Sequence, residues 1–401
     1  MPKRLLILGA GANQAGILDT AIRLGIDAIA LDANPQAPSR THAAQFIQAD
    51  IRDPDRIAQL ATEHRVDGIY PAAELSVEAA AEACSRLSLP GISPETATRV
   101  RNKLRMREAL AEKTSFNPLY RAVTTVDEAL EATKRLSCPI IVKPVDGNAS
   151  KGVRLVERED DAIDAFEHAR HFSESKTVLL EECIKGEEFC VDGLVYNGRY
   201  ILGGITGKEV SAPPNRFDEC IFMPPILDRA VCEEIEACTR VALDAIGFRN
   251  GTTHVEIIMS EEGPRIVEIA GRPGGGRIPT DLIPLAYGTD YMADSIRIAL
   301  GEAPKESRKK EGAAALFWIP AKPGDVQVIE GIEEARAVPG IREVVIYASV
   351  GDTLAPIVDC VTRDRVGYVL AEGDTTEEAL TTARSAANCC KIRTAPADSH
   401  T

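Results

Sequence analysis

Residues 251–275 read GTTHVEIIMSEEGPRIVEIAGRPGG, two short apolar runs that each hold one glutamate, split by a turn and followed by an arginine and glycines. Alternation sends His254, Glu256 and Ile258 to one face of a strand and Val255, Ile257 and Met259 to the other. In the second run Ile266, Glu268 and Ala270 share a face. SEEGP reads as the turn, with Gly263 free to take positive φ and Pro264 closing it. A hairpin centred near Glu262 sets Glu256 opposite Glu268, with Cβ atoms about 4.5–5.5 Å apart. Facing carboxylates repel, and one is pushed toward its neutral form unless a cation lies between them. Glutamate oxygens are hard ligands suited to magnesium, which is completed by waters and substrate phosphates. A solvated sheet face on which two glutamates align fits this stretch equally well.

The chain of 401 residues has room for two or three domains. Its formal charge of -15, from 46 basic and 61 acidic residues, opposes nonspecific binding to nucleic acid or anionic membrane. No apolar run approaches the roughly 20 residues of a membrane span. The start, MPKRLLILGAG, enters a strand-like run and lacks a signal peptide's cleavage site, so a cytoplasmic protein is expected. Ten cysteines form no CxxC pair, and six scattered histidines argue against a histidine-based zinc site. Reduced thiols are expected.

Working outward from the hairpin, RLLILGAGANQAGILDTAIRLGIDAIALD reads strand, glycine turn, helix, strand, with Ile17, Ala21 and Leu24 on one helix face and Gly25 ending it. Further strands and helices to about residue 94 predict a parallel sheet with helices on both sides. GAGANQAG is close to a dinucleotide-binding GxGxxG, but Gln14 stands at the third glycine position. Each of those glycines has a mechanical task, so the mismatch favours a structural turn. A basic helix, ATRVRNKLRMREALAEKT, opens the second region. Residues 178–209 alternate polar and apolar, with YNG and TGK as turn signals, and predict antiparallel sheet. GEAPKESRKKEG is a charged connector, and strands and a helix follow it. The expected domains are 1–94, 95–310 and 311–392, with 393–401 a frayed tail.

Three further stretches carry chemistry. In CPIIVKPVDGNASKG an apolar strand delivers Lys143 near its end, and the loop after it holds Asn148, Ser150, Lys151 and Gly152. Small residues there let backbone N–H groups turn inward around phosphate oxygens, with the lysines as countercharge; an exposed polar hairpin loop is the plainer reading. VLLEECIKGEEF offers a strand edge for a nucleotide base, with Glu181 and Glu188 as candidate carboxylates and Ile184 to pack on the base. In PAAELS, Glu74 lies at a strand end of the parallel sheet, where it could attract a substrate ammonium.

Lys103 in RNK, Lys143 in IIVKP, the loop DGNASKG, EECIKGEE, and HVE with EIAGRPGG together resemble the ATP-grasp carboxylate–amine ligases, over about residues 1–390. The likeness is greatest to the branch of L-amino-acid alpha-ligases (dipeptide synthetases) and carnosine-synthase-like enzymes. It implies an α/β and α+β ATP-grasp fold, with an N-terminal Rossmann-like (preATP-grasp) parallel-sheet domain and a small C-terminal domain. It also implies site roles. Lys103 and Lys143 would contact ATP phosphates, and Asn148, Ser150, Lys151 and Gly152 would close over them. Glu181 would approach the adenine amino group, Glu182, Cys183 and Ile184 would form the hinge strand, and Glu188 would bind ribose. Glu256 and Glu268 would hold magnesium, as two ions, with manganese a substitute. Family members often carry asparagine two residues after the second metal glutamate; here Ala270 removes that ligand.

Arg272 would brace transferred phosphate or substrate carboxylate, with Lys208 and His254 beside the reacting groups, His254 favoured as an orienting residue. Gly274, Gly275 and Gly276 leave space beyond Arg272 and would line the acceptor pocket, with Glu74 as a further substrate contact. The expected reaction is ATP-dependent amide formation between two L-amino acids through an acyl phosphate, releasing ADP and phosphate. Another ATP-grasp carbon–nitrogen ligase or a carboxylase acting on a non-peptide metabolite is the alternative. The partners expected are small molecules, with no nucleic acid and no membrane, and a homodimer is left open.

Overall fold

Strand and helix alternate up to residue 87 because short apolar runs, RLLIL and DAIALD the most apolar of them, form the strands and each helix carries a 3.6-residue apolar stripe. The structure, a computed structural model, describes residues 2–148, 150–212, 217–306 and 310–396. Strands β1 (Arg4–Leu8), β2 (Asp27–Asp32), β3 (Gln45–Gln48) and β4 (Gly68–Pro71) form a sheet of order β3-β2-β1-β4, every pair parallel. Leu5 and Ile7 feed the core on one face, Leu6 and Leu8 the core on the other. The glycine turn after β1 is structural: Asp32 accepts from the amides of Ala10 and Asn34, both at 2.9 Å, and the Gln14 amide donates to the carbonyl of Ala72 at 2.9 Å. The residue that breaks the dinucleotide pattern thus ties the turn to the end of β4.

The expected basic helix is two helices, Pro94–Arg101 and Lys103–Ala111. Asn102 divides them; its backbone is extended and its side chain accepts from the amides of Leu104 and Arg105. That break sets Lys103 at the first helical position. Strands β5 (Tyr120–Val123), β6 (Ile140–Pro144), β7 (Arg154–Val156) and β8 (Val178–Glu182) follow as an antiparallel sheet of order β5-β8-β6-β7.

The large sheet begins with β9 (Glu187–Tyr196), β10 (Arg199–Val210), β11 (Asp218–Met223), β12 (Gly251–Ser260), β13 (Gly263–Ala270) and β14 (Ala313–Trp318). A fourth sheet has β15 (Gly324–Glu330) between β17 (Thr353–Leu354) and β19 (Lys391–Ala395), while β16 (Ile341–Ile346) and β18 (Gly367–Gly373) join the large one. Its order is β13-β12-β9-β10-β11-β14-β18-β16, eight strands in all. The boundary expected at 310 is therefore no break in the sheet, because β14 pairs with β11 and brings β18 and β16 after it. Of the residues expected as a frayed tail, Arg393–Ala395 instead pair with β15, and 397–401 lie outside the described residues. Within the charged connector, 307–309 are outside them too. YNG is a turn, with Asn197 and Gly198 both at positive φ, but TGK is not: Thr206, Gly207 and Lys208 continue β10 through the sheet.

The hairpin β12–β13 reaches the expected pairing by an unexpected route. Ser260 pairs with Gly263, so the turn is the pair Glu261–Glu262, a register that by itself would put Glu256 opposite Val267. A bulge at Val267 adds one residue to β13 and returns Glu256 to Glu268. It also turns Ile266 away from the glutamates. That side chain packs with Val255, Ile257 and Ile269 in the core under helix Arg229–Ala245, against the sequence expectation that it shares their face.

Candidate active site

Glu256 and Glu268 open into a cleft of about 620 Å³ between the small sheet β5–β8 and the large sheet. Its lining brings together Lys103, Lys143, Asn148, Ser150, Lys151, Glu181, Glu182, Cys183, Ile184, Glu188, Lys208, His254, Arg272 and Glu74. Gly152 is buried with φ of 78°, close to Phe172 and Pro144, and is not among the lining residues. Ala149, inside the loop DGNASKG, lies outside the described residues.

Each metal-binding candidate is met by a lysine. Lys103 donates to Glu268 at 3.0 Å and to the carbonyl of Gly147 at 2.9 Å. Lys208, on β10, lies 3.6 Å from Glu256, 2.7 Å from Glu188 and 3.7 Å from Asp218. Lys208 first, and His254 after it, hold Glu256 far below the ordinary carboxylate range against its burial. Burial disfavours the charge on Lys208, yet the surrounding acidic groups raise its pKa well above the lysine value. The hard oxygens of the facing carboxylates, each with a lysine beside it, fit a divalent magnesium-type ion. Ala270 contributes no further side-chain oxygen at the position two after Glu268.

Glu181 lines the cleft as a paired carboxylate. Its two oxygens accept from Arg107 at 2.7 and 3.1 Å, and Lys143 approaches at 2.7 Å. Burial opposes ionisation there, and Arg107 with Lys143 overcome it, bringing Glu181 down to about 2. Burial, with Arg107 and Lys103 adding to it, lowers the pKa of Lys143 in spite of Glu181. So the carboxylate assigned to the adenine amino group is already engaged by two cations, because a buried charge needs its partners inside the protein. Glu182 accepts the amide of Leu119 at 2.9 Å, and with Cys183 and Ile184, just past the end of β8, it lines the cleft.

Glu74 is likewise taken. It accepts from Arg272 at 2.6 Å and from Arg101 at 3.0 Å, and these arginines keep it ionised despite burial. Where a contact to a substrate ammonium was expected, Glu74 is paired with two guanidiniums, and it still lines the cleft. His254 is set in the same manner. Its Nδ1 lies 3.0 Å from Asp192, whose second oxygen accepts the amide of Gly274 at 3.0 Å. Burial pulls the imidazole down, but Asp192 raises it well above the ordinary histidine value.

The glycines beyond Arg272 are less open than their composition implies. A Cβ at Gly274 would lie 2.6 Å from Asp192 and 2.7 Å from His254, and one at Gly276, where φ is 60°, 2.9 Å from Ile221. Only Gly275 of the three meets nothing within 4 Å. All three line a second cavity of about 1150 Å³ that reaches Trp318 and Tyr368. Gly274→Ala is therefore expected to push Asp192 and His254 apart and cut turnover by at least about 10-fold, roughly the 1.4 kcal/mol that ratio represents. A steady-state assay with wild-type values would remove the close approach from the explanation. For Gly276→Ala, left-handed backbone predicts damage toward every acceptor alike, measured as a uniform fall in kcat/KM across small and bulky amines.

Sequence reading missed Arg101, Arg107, Asp192 and Asp218. Two left a signal. Arg107 sits on the apolar stripe of its helix with Lys103, Met106 and Leu110, and all four are buried. Asp192 is the lone charge in the apolar run FCVDGLV and is fully buried.

Comparison with known proteins bears on the same residues. The ATP-grasp domain family model matches residues 136–281, and the ATP-grasp N-terminal domain model matches 18–91. The chain belongs to the ATP-grasp superfamily. An L-amino acid ligase C-terminal domain model adds residues 316–395 of this ATP-grasp chain. Among relatives, an uncharacterized protein of Sinorhizobium fredii is 29% identical, across 92% of this chain and 78% of its own. The formate-dependent phosphoribosylglycinamide formyltransferase of Methylococcus capsulatus is 26% identical, across 94% and 92%. The L-arginine-specific L-amino acid ligase of Bacillus subtilis is 27% identical, across 72% and 71%. Two solved structures share the fold: L-amino acid ligase from Bacillus licheniformis, with a TM-score of 0.85 and 22% identity over 98% of this chain and 99% of that one, and phosphoribosylglycinamide synthetase from Anaerococcus prevotii, at 0.79 and 23% over 98% and 100%.

This ATP-grasp protein is an ATP-dependent carboxylate–amine ligase, in the broad sense that includes the superfamily's carboxylases. The ATP-grasp fold works with ATP and a divalent metal ion, commonly magnesium. No helix among the described residues is long and apolar enough to cross a membrane.

Proposed function

We propose that the chain activates a carboxylate with ATP as an acyl phosphate and passes the acyl group to an amine. The observation that carries this reading is the pair Glu256–Glu268, set opposite each other in one cleft with Lys103, Lys143, Lys208 and Arg272. The carboxylate oxygen attacks the γ-phosphorus and ADP leaves; the amine nitrogen then attacks the acyl carbon, and phosphate departs with the bonding electrons as the amine gives up a proton. Glu256 and Glu268 would hold the metal, as two ions, which supplies charge neutralisation on the phosphates. Lys103, Lys143 and the loop Asn148–Gly152 would bind phosphate oxygens, Glu182–Ile184 the adenine, and Glu188 the ribose. Arg272, braced by Glu74, would steady charge in both steps, with His254 and Lys208 beside it.

Two substrate classes have support. The amino-acid reading, a dipeptide ligase, is favoured by the C-terminal match over 316–395 and by the Bacillus subtilis ligase. A non-peptide amine or carboxylate is favoured by relatives aligned along nearly the whole of both chains, such as the Methylococcus capsulatus formyltransferase. The second has the broader support, since the amino-acid ligase aligns over only 72% of this chain. A matrix of amino-acid pairs, formate, bicarbonate and phosphorylated amines, each with magnesium and ATP, separates them by phosphate release and product mass. A product at the summed mass of two amino acids less one water supports the peptide bond. Turnover only with formate, bicarbonate or a phosphorylated amine assigns the other class. AMP and pyrophosphate as products reject the acyl phosphate route altogether.

A further inference from the structure

The strands that carry Glu256 also set a thiol and an imidazole beside it. β9 and β12 run antiparallel with Cys190 opposite Glu256 and Asp192 opposite His254. One ligand atom each of Cys190, His254 and Glu256 lies within 4.8 Å of the other two. The Nε2 of His254 is 3.9 Å from Glu256, while its Nδ1 is held by Asp192, itself fixed by the amide of Gly274. A histidine that binds a metal through one nitrogen usually has the other held by a carboxylate, which fixes the ring's aim. Cys190 has no task in the chemistry above.

The composition of this cluster is wrong for magnesium alone. Magnesium takes oxygen ligands, whereas thiolate and imidazole select zinc and its softer relatives. Three protein ligands with a fourth position open to water is a zinc geometry. We propose that Cys190, His254 and Glu256 form a binding site for a soft divalent cation, zinc in the first instance, whose occupation withdraws Glu256 from magnesium and stops turnover. The thiol proton leaves to solvent as the metal–sulfur bond forms. Lys208, 3.6 Å from Glu256, is displaced from that carboxylate and keeps Glu188 at 2.7 Å as its partner. The inhibitory half rests on the magnesium role given to Glu256; the binding half does not.

The test uses the full chain without nucleotide, titrated with zinc against a chromophoric chelator and with cadmium for its ultraviolet thiolate charge-transfer band. Because the chain has ten cysteines, the quantity read is the difference between wild type and Cys190→Ala. Wild type is expected to hold one more zinc and to show an additional cadmium–thiolate band. Asp192→Asn, which keeps all three ligands, is expected to weaken zinc about 10- to 100-fold. With saturating MgATP, the zinc concentration that halves turnover rises at least about 10-fold in Cys190→Ala, as for a lost ligand or its support, while turnover without zinc is unchanged. Cys190→Ser serves if the alanine variant does not fold. Equal zinc and cadmium titrations for wild type and the Cys190 variant overturn the site. Zinc lost in Glu268→Gln but retained in Cys190→Ala also overturns it, because the ion then occupies only the magnesium carboxylates. Zinc bound through Cys190 with turnover intact overturns the inhibitory half and, separately, the magnesium role of Glu256.

Discussion

Glu268→Gln is expected to lower ADP formation by about 10²–10³-fold, the scale on which loss of one charge-stabilising group acts. Extra magnesium should not restore it. The amide keeps the volume of the side chain but is a neutral and weaker ligand, so the positive charge facing the phosphates has one anchor in place of two. Glutamine also keeps an oxygen for Lys103, which is buried and would otherwise lose its carboxylate partner. Glu268→Ala removes both, and its thermal stability should fall as well as its turnover. The comparison of the two variants separates metal binding from the support of Lys103. ADP release measured across magnesium concentrations with substrate present decides it; wild-type rates in Glu268→Gln would sink the metal role.

The largest expected loss of stability is at Arg107. Replacing it by methionine keeps length and apolar packing but leaves Glu181 with Lys143 alone and frees the carbonyls of Ile266 and Val267, which Arg107 binds at 2.6 and 2.9 Å. Breaking a buried pair from one side costs about 3–5 kcal/mol. Urea unfolding at pH 7 reads it directly. The pH dependence supplies an independent check. Glu181 is depressed in the fold from the ordinary 4.5 to about 2. Its stabilisation is therefore full above pH 4.5 and is lost as pH falls from there toward 2, a contribution of about 3 kcal/mol. In Arg107→Met that acid limb should flatten, so the gap between variant and wild type narrows at low pH. A gap that stays constant would mean the carboxylate's partner is not the cause.

Much of this was legible in the residues. Period-two alternation and the turn SEEGP predicted Glu256 opposite Glu268, a pairing the structure reaches through a bulge, and strand–helix alternation predicted the parallel sheet of the first 71 residues. The order of lysines, small-residue loop, strand edge and paired glutamates identified the family, and all those side chains meet in one cleft. These are local patterns, set by which faces of short segments must leave water. The bulge at Val267 was not legible, because two registers of one hairpin differ by a single residue and the core under β13 selects between them.

What sequence alone left undecided is which charge answers which. Asp192 and His254 are 62 residues apart, Arg107 and Glu181 74, Glu74 and Arg272 198. Each carboxylate could have faced solvent or substrate as far as its neighbours in the chain reveal. Burial in the assembled sheets removes their water, and the resulting cost of an unpaired charge selects the partners that packing brings within reach. The sequence thus determined the elements and the chemistry of the site; the tertiary structure decided that Glu181 and Glu74 brace cations and that Gly274 must be bare beside Asp192.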